Sequence, residues 1–166
     1  MRTSWTTIAC LAIALAVSGC GKTDHKDGDV IMVDGLKAGQ DFMAKTAKEP
    51  GVVTLPSGLM YKVVSDPNPG APQPTATDTV KVHYEGTLVD GKVFDSSYER
   101  GVPAVFGLQN VVKAWQIGIP LMHKGDTYML YVPPELGYGA EAAPDGSIPA
   151  NSVLIFKVQL LDIAGK

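Results

Sequence analysis

From Thr79 onward apolar and polar residues alternate with a period of two. Val80, Val82 and Tyr84 are interleaved with Lys81, His83 and Glu85, the rhythm of a half-buried strand with one wet face. Thr87-Leu88-Val89 and Lys92-Val93-Phe94 flank Asp90-Gly91, which reads as a two-residue hairpin turn. Thr127–Val132 and Ser152–Ile163 repeat the pattern, with Leu154, Phe156, Val158 and Leu160 on one face of the latter. Between the hairpin and these strands, Asn110 is placed to cap a short helix carrying Val111, Val112 and Trp115 on its apolar side. The fold class expected is therefore α+β: an antiparallel sheet with one short helix against its apolar face.

Upstream the signals are weaker. Leu36–Glu49 places Leu36, Phe42, Met43 and Ala47 near helical spacing, and Pro50-Gly51 ends the run. Leu59–Val64 is a strand candidate, and Asp66–Thr77, with four prolines, must be an exposed loop. A second long loop, Pro133–Asn151, carries Tyr138 and Ile148 among small residues. A loop of that length in a compact domain is usually functional or disordered, and its composition suggests a shaped rim.

The first twenty residues follow a different logic. Arg2 precedes the apolar run Ile8–Val17, which is too short for a bilayer core needing about 20 residues and matches the hydrophobic region of a secretory signal. An uncleaved anchor or a short buried helix is the plainer alternative. Val17-Ser18-Gly19-Cys20 resembles the bacterial lipobox, in which the cysteine is acylated and cleavage falls just before it. Residues 1–19 are then a lipoprotein signal peptide, residues 20–50 a lipidated tether with a short helix, and residues 51–166 the main domain. Removing 19 of 166 residues leaves 147, with 13 basic against 17 acidic side chains. Cys10 is lost and Cys20 is committed to lipid, so no internal disulfide is available. Gly21 after the cysteine implies, by resemblance to proteobacterial lipoproteins, an exported protein anchored to the outer membrane and facing the periplasm or cell surface.

Composition narrows the chemistry. Of 166 residues 45% are apolar, 19% are charged, and the net charge is −3, which argues against nucleic acid as a partner. Gly (18) and Pro (12) together take 30 positions, favouring turns and short strands. No phosphate-binding loop, nucleophile elbow or histidine ligand pair is present. His25 lies beside Asp24 and Asp27 in a polar segment, Gly21–Asp29, that reads as a flexible, solvated spacer. His83 falls on the wet face of its strand, and His123 reads as a turn residue. No metal and no cofactor are expected. An unusual aromatic set remains, Tyr84, Phe94, Phe106, Trp115, Tyr138 and Phe156, which composition alone assigns to a core more often than to a pocket.

Four blocks carry a resemblance. They are Val93-Phe94-Asp95-Ser96-Ser97-Tyr98-Glu99-Arg100-Gly101, Val111-Val112-Lys113-Ala114-Trp115, Tyr131–Gly139 (YVPPELGYG) and Ile148–Phe156 (IPANSVLIF). In this order they strongly resemble the FKBP-type peptidyl-prolyl isomerases, and the lead-in Gly51–Leu59 looks like the bacterial macrophage-infectivity-potentiator branch. The resemblance implies a half-wrapped antiparallel sheet around one short helix, with a proline pocket between them. Trp115 would be its floor, and Tyr84, Phe94, Phe106, Val111, Val112 and Phe156 its walls. The Ile148 N–H and the Tyr138 hydroxyl would hold the substrate backbone, and Asp95 would be held by Tyr84 and Arg100. The alternative for Asp95–Arg100 is a surface ion pair worth ~0–1 kcal/mol.

The implied activity is cis-trans isomerisation of X-Pro bonds in exported polypeptides, with macrolides of the rapamycin type as inhibitors. A non-catalytic proline-binding chaperone using the same pocket is the alternative, and a purely structural envelope lipoprotein a third. Two departures from the family pattern stand out. Ala104 replaces an aromatic found in many eukaryotic members, which bears on preference for the residue before proline. The dimerising helical domain of the infectivity-potentiator branch has only Leu36–Glu49 in its place, which implies a monomer.

Overall fold

The computed structural model describes the backbone of residues 27–165 and the side chains of residues 35–165. Cys20, the segment before it and His25 lie outside the described residues. Seven strands form one antiparallel sheet: β1 (Val52–Thr54), β2 (Met60–Ser65), β3 (Thr79–Leu88), β4 (Val93–Ser96), β5 (Ala104–Gly107), β6 (Thr127–Val132) and β7 (Leu154–Ile163). Their order is β1-β2-β6-β7-β3-β4, with β5 pairing the first half of β3 on the edge that β4 uses in the second half. Helix α2 (Lys113–Gly118) packs against the concave face, as the alternation implied.

The inward set of β3 is buried as expected: Val80 and Val82 are fully enclosed and Tyr84 is 5% exposed. Opposite them Leu154, Phe156, Val158 and Leu160 of β7 complete the core with Leu130 and Val132 of β6. Gly118 lets α2 approach closely, because a Cβ there would lie 3.1 Å from Leu130 and 3.5 Å from Leu59.

Four local readings are corrected. The Asp90-Gly91 connection is not a two-residue turn. Leu88 accepts the Gly91 N–H (3.0 Å) and donates to Lys92 (2.9 Å), with Gly91 at φ +85°, a type I turn followed by a left-handed residue. Asn110 does not cap α2. It ends a 3-10 turn over Leu108–Asn110, and Val112 holds the N-cap position without a side-chain bond. Val111 and Val112 thus precede the helix, and only Trp115 rides on it. His83 is half-buried, not freely solvated: Nδ1 lies 2.9 Å from Ser97 Oγ and its ring stacks on Tyr98 at 4.7 Å.

The fourth correction concerns the tether. Helix α1 runs over Asp27–Thr46, starting inside the presumed spacer and ending before Glu49. It is docked rather than trailing: Phe42 packs on Tyr131 at 6.1 Å, Thr46 is 1% exposed, and Gly39 abuts Val153. Tyr131 and Leu130 are neighbours on β6 and point to opposite faces, so α1 covers the convex face of the sheet.

Candidate functional site: an aromatic cup with a polar wall

The site is built on the concave face from residues that five segments bring together. Trp115, on the first turn of α2, is its base. The indole meets Tyr84 from β3 (5.1 Å, 83°), Phe106 from β5 (5.6 Å, 80°) and Phe156 from β7 (5.4 Å, 80°). Phe94 from β4 extends the wall by an edge contact with Phe156 (5.5 Å, 88°). Such edge-on pairs satisfy the ring quadrupoles, and because three rings stand on edge around one indole they form a cup instead of a filled stack. Phe94, Phe106, Val111 and Val112 are half-buried at its sides.

A backbone irregularity aims the polar wall. Gly86 pairs with Asp95 and Thr87 with Val93, so Phe94 is an extra residue on β4. Consecutive strand residues normally face opposite sides, but this bulge re-aims the strand so that Phe94 and Asp95 both reach the cup. Phe94 lies directly over Gly86, where a Cβ would come within 2.5 Å of Cζ and 2.9 Å of Phe156. Gly86 is a functional position that sequence reading missed. A glycine inside an alternating strand was the available signal.

Asp95 is held twice, by the Tyr84 hydroxyl on Oδ2 and by Arg100 Nη1 on Oδ1. Arg100 Nη2 also donates to the Tyr84 hydroxyl oxygen (2.9 Å), closing a three-membered ring. The side chains of Arg100 and Asp95 remain 46% and 41% exposed, so the pair contributes little to stability and its value lies in fixing the carboxylate. Burial, then the contact with Asp95, raises the Tyr84 phenol above its ordinary value, partly countered by Arg100. Ser97, fully buried, ties this turn to β3: its N–H donates to the Tyr84 carbonyl (2.9 Å) and its Oγ accepts the Tyr84 N–H (2.8 Å).

The long loop joins the same buried cluster as Trp115 and Phe156 through Ala143 and Ile148. It is ordered by its own backbone bonds, Asn151 N–H to Gly139 (2.8 Å), Gly139 N–H to Pro134 (2.8 Å) and Ala143 N–H to Ile148 (2.9 Å). Asn151, at φ 57°, is the one non-glycine in the left-handed region among the described residues, where asparagine is better tolerated than most. Ile148 has its side chain buried and its carbonyl used, while its N–H has no acceptor among the described residues. Tyr138 is 43% exposed. A cavity of ≈ 570 Å³ lies elsewhere, between α1 and the β3–β4 turn, lined by Gly35, Ala38, Leu88, Val89 and Val153 among others. No ring and no ion pair lines it, so the convergent chemistry belongs to the cup.

Comparison with known proteins settles the lineage. Residues 70–161, more than half of the chain, match the family described as FKBP-type peptidyl-prolyl cis-trans isomerase. The chain belongs to that family. Residues 26–63 match the domain amino terminal to FKBP-type peptidyl-prolyl isomerase, so α1, β1 and the first four residues of β2 belong to a family segment too. Among relatives, the FKBP-type peptidyl-prolyl cis-trans isomerase FkpA of Aeromonas hydrophila is 48% identical over 131 residues, 79% of this chain and 47% of its own. The outer membrane protein MIP of Legionella longbeachae is 42% identical over 125 residues, 75% of this chain and 52% of its own. The crystal structure of FkpA from Escherichia coli superposes with a TM-score of 0.76 at 43% identity, covering 81% of this chain and 62% of that one. The chain spans about half the length of the curated relatives it matches. The FKBP-like fold expected of the resemblance is thus established, with an open antiparallel sheet and a short helix.

Proposed function

We propose that this FKBP-type chain accelerates cis-trans isomerisation of X-Pro peptide bonds, with the cup around Trp115 as the proline site. The observation carrying this reading is an apolar aromatic cup with a fixed carboxylate in its wall, in one buried cluster with Ile148, whose backbone N–H has no acceptor among the described residues. Rotation about X–Pro is opposed by amide resonance, a barrier of ~18–20 kcal/mol that leaves isomers exchanging over tens of seconds. The planar amide is its more charge-separated form, so an apolar site disfavours it relative to the twisted transition state. No nucleophile is needed.

In this reading the proline ring lies on Trp115 between Tyr84, Phe106 and Phe156, with Phe94, Val111 and Val112 closing the sides. The Ile148 N–H and the Tyr138 hydroxyl hold the substrate backbone while the amide twists. Asp95, fixed by Tyr84 and Arg100, supplies the negative edge of the site. A rate gain of about 10⁴ requires only ~5.4 kcal/mol of differential stabilisation, within reach of such contacts. Macrolides of the rapamycin type would compete for the same cup.

We further propose export and lipid attachment through Cys20, with residues 1–19 as signal peptide, residues 20–50 joining anchor to domain, and residues 51–166 as the isomerase domain. The lipobox-like sequence supports this, as does the name of the Legionella longbeachae relative, an outer membrane protein. No helix among the described residues is long and apolar enough to cross a membrane. A monomer is the assembly proposed, measured by light scattering.

The deciding experiment uses a soluble version beginning at Gly21 and follows cis-to-trans conversion of a Leu-Pro or Phe-Pro peptide, with and without rapamycin. Acceleration abolished by the drug and weakened by Asp95→Val or Tyr138→Phe supports the isomerase reading. Drug binding without acceleration replaces it with a non-catalytic proline-binding module.

A further inference from the structure

A second cluster of chemistry-bearing side chains lies outside the cup. Asp66 opens the four-proline loop, and His123 and Asp126 flank the turn before β6, too far from Asp66 in sequence for any spacing rule to link them. Strand register brings them together. β2 and β6 are antiparallel with Ser65 opposite Thr127, so Asp66, one step on, faces Asp126, one step back. One donor atom from each of Asp66, His123 and Asp126 falls within 4.8 Å of the others.

The arrangement is poorly compensated as it stands. The Asp126 side chain is fully buried. Its Oδ2 accepts the His123 N–H (2.8 Å), but Oδ1 has no hydrogen-bond partner, and neither has the buried His123 Nδ1, which lies 3.5 Å from Oδ2. A buried carboxylate oxygen left unpaired has lost its hydration without a hydrogen bond in return, and a second carboxylate opposite adds like-charge repulsion. The adjacent Lys124 does not relieve this, since its Nζ is paired with Asp162 (2.5 Å).

We propose that Asp66, His123 and Asp126 form a divalent-cation site of Zn²⁺ class, clipping the start of the four-proline loop to the turn before β6. Ligands at about 2.1 Å in a tetrahedron stand about 3.4 Å apart, close to the His123–Asp126 separation already present. Asp66 is exposed and closes the remaining gap by rotating its side chain, which also opens the way in. One imidazole with two carboxylates suits Zn²⁺, water completing the shell. Ca²⁺ and Mg²⁺ demand six or more oxygens. The site is independent of the isomerase reading, since none of its residues lines the cup.

The test uses the full chain in detergent after chelator treatment, with Zn²⁺, Ca²⁺ or Co²⁺ added as the chloride. Zn²⁺ at a hundredfold over its Kd is expected to raise Tm by about 5–11 °C. Co²⁺ should show the visible absorption of a four-coordinate ion. Both responses should vanish in Asp66→Asn, an exposed substitution that leaves the fold intact, and in His123→Gln. No Tm response in the wild type overturns the proposal. A response that persists in Asp66→Asn also overturns it, placing the ion elsewhere, for example at the polar segment containing His25. A Ca²⁺ effect equal to that of Zn²⁺ overturns the assignment of class.

Discussion

On the convex face of the sheet, α1 lays Phe42 on Tyr131 and Gly39 on Val153, and both partners are buried. On the concave face Trp115 gathers Tyr84, Phe106 and Phe156 edge-on, yet Tyr138 stays 43% exposed and the Ile148 N–H has no acceptor among the described residues. Both faces use aromatic rings and a close-approach glycine. The difference lies in what fills them. A helix of the chain itself occupies the convex face, whereas the concave rings brace one another and leave a shaped opening. Bulk hydrophobicity therefore does not mark the site: ring geometry, a carboxylate pinned from two sides and an unspent donor do.

The sharpest way to break the contrast is a methyl group on each side. Gly86→Ala would put a Cβ 2.5 Å from Phe94 and push that wall out of place. A displacement of ~1 Å at a positioned group is worth about 100-fold in rate, so kcat/KM for an X-Pro peptide should fall by about that factor, with stability lowered by ~1–3 kcal/mol in denaturant titration. Tyr84→Phe comes next. It keeps the ring on Trp115 and removes the hydroxyl shared by Asp95 and Arg100. A roughly tenfold loss of kcat/KM, the equivalent of about 1.4 kcal/mol, should appear in the same assay with an unchanged circular-dichroism spectrum.

Gly39→Ala on the convex face should separate the two. Its Cβ would meet Val153 at 2.9 Å, and the strain is offset by the ~1 kcal/mol that alanine gains over glycine in a helix. The net expectation is a stability change below ~1 kcal/mol and activity within twofold of wild type. An activity loss as large as that of Gly86→Ala would mean that the two faces are coupled.

An effect confined to alkali touches both faces. Burial raises Tyr84 in the cup, Tyr131 under α1, and Tyr128 most, to about 12. The folded protein thus holds phenolic protons that the unfolded chain releases near pH 10, so stability is fully present below that pH and is lost as pH rises toward 12. Urea midpoints from pH 8 to 11.5 should show that fall, and it should be shallower in Tyr128→Phe.

Much of this was legible along the chain. Val80, Val82 and Tyr84 announced an inward strand face because a pleat has a strict period of two, and the four family-like blocks contain Phe94, Trp115 and Phe156, whereas Tyr84 and Phe106 lie outside them. What failed, failed where local grammar was overruled. Asn110 is a good capping residue, but the chain needed one more extended stretch, held by Gln116 Nε2 on the Val111 carbonyl (2.8 Å), before α2 could start. The polar Gly21–Asp29 segment hid the start of α1, although Val30-Ile31-Met32-Val33 follows it immediately. His83 falls on the outer side of β3 by alternation, and only the turn carrying Ser97 and Tyr98 covers it.

The sequence by itself determined five of the seven strands, the two long loops, the aromatic inventory and the family, because periodicity and contiguous motifs are local properties, whereas β1 and β5 are too short to show a period and exist through their pairing with β2 and β3. Tertiary structure alone decided three things. The bulge at Phe94 turns two consecutive residues into one site. Gly86 matters because a ring from another strand lies on it. Asp66 meets His123 and Asp126 because β2 pairs with β6 and the register shifts between Val63 and Ser65, bringing Asp66 to Asp126. Each depends on which strands hydrogen-bond and with what offset, a choice made by packing across the whole sheet, to which no short stretch of chain has access.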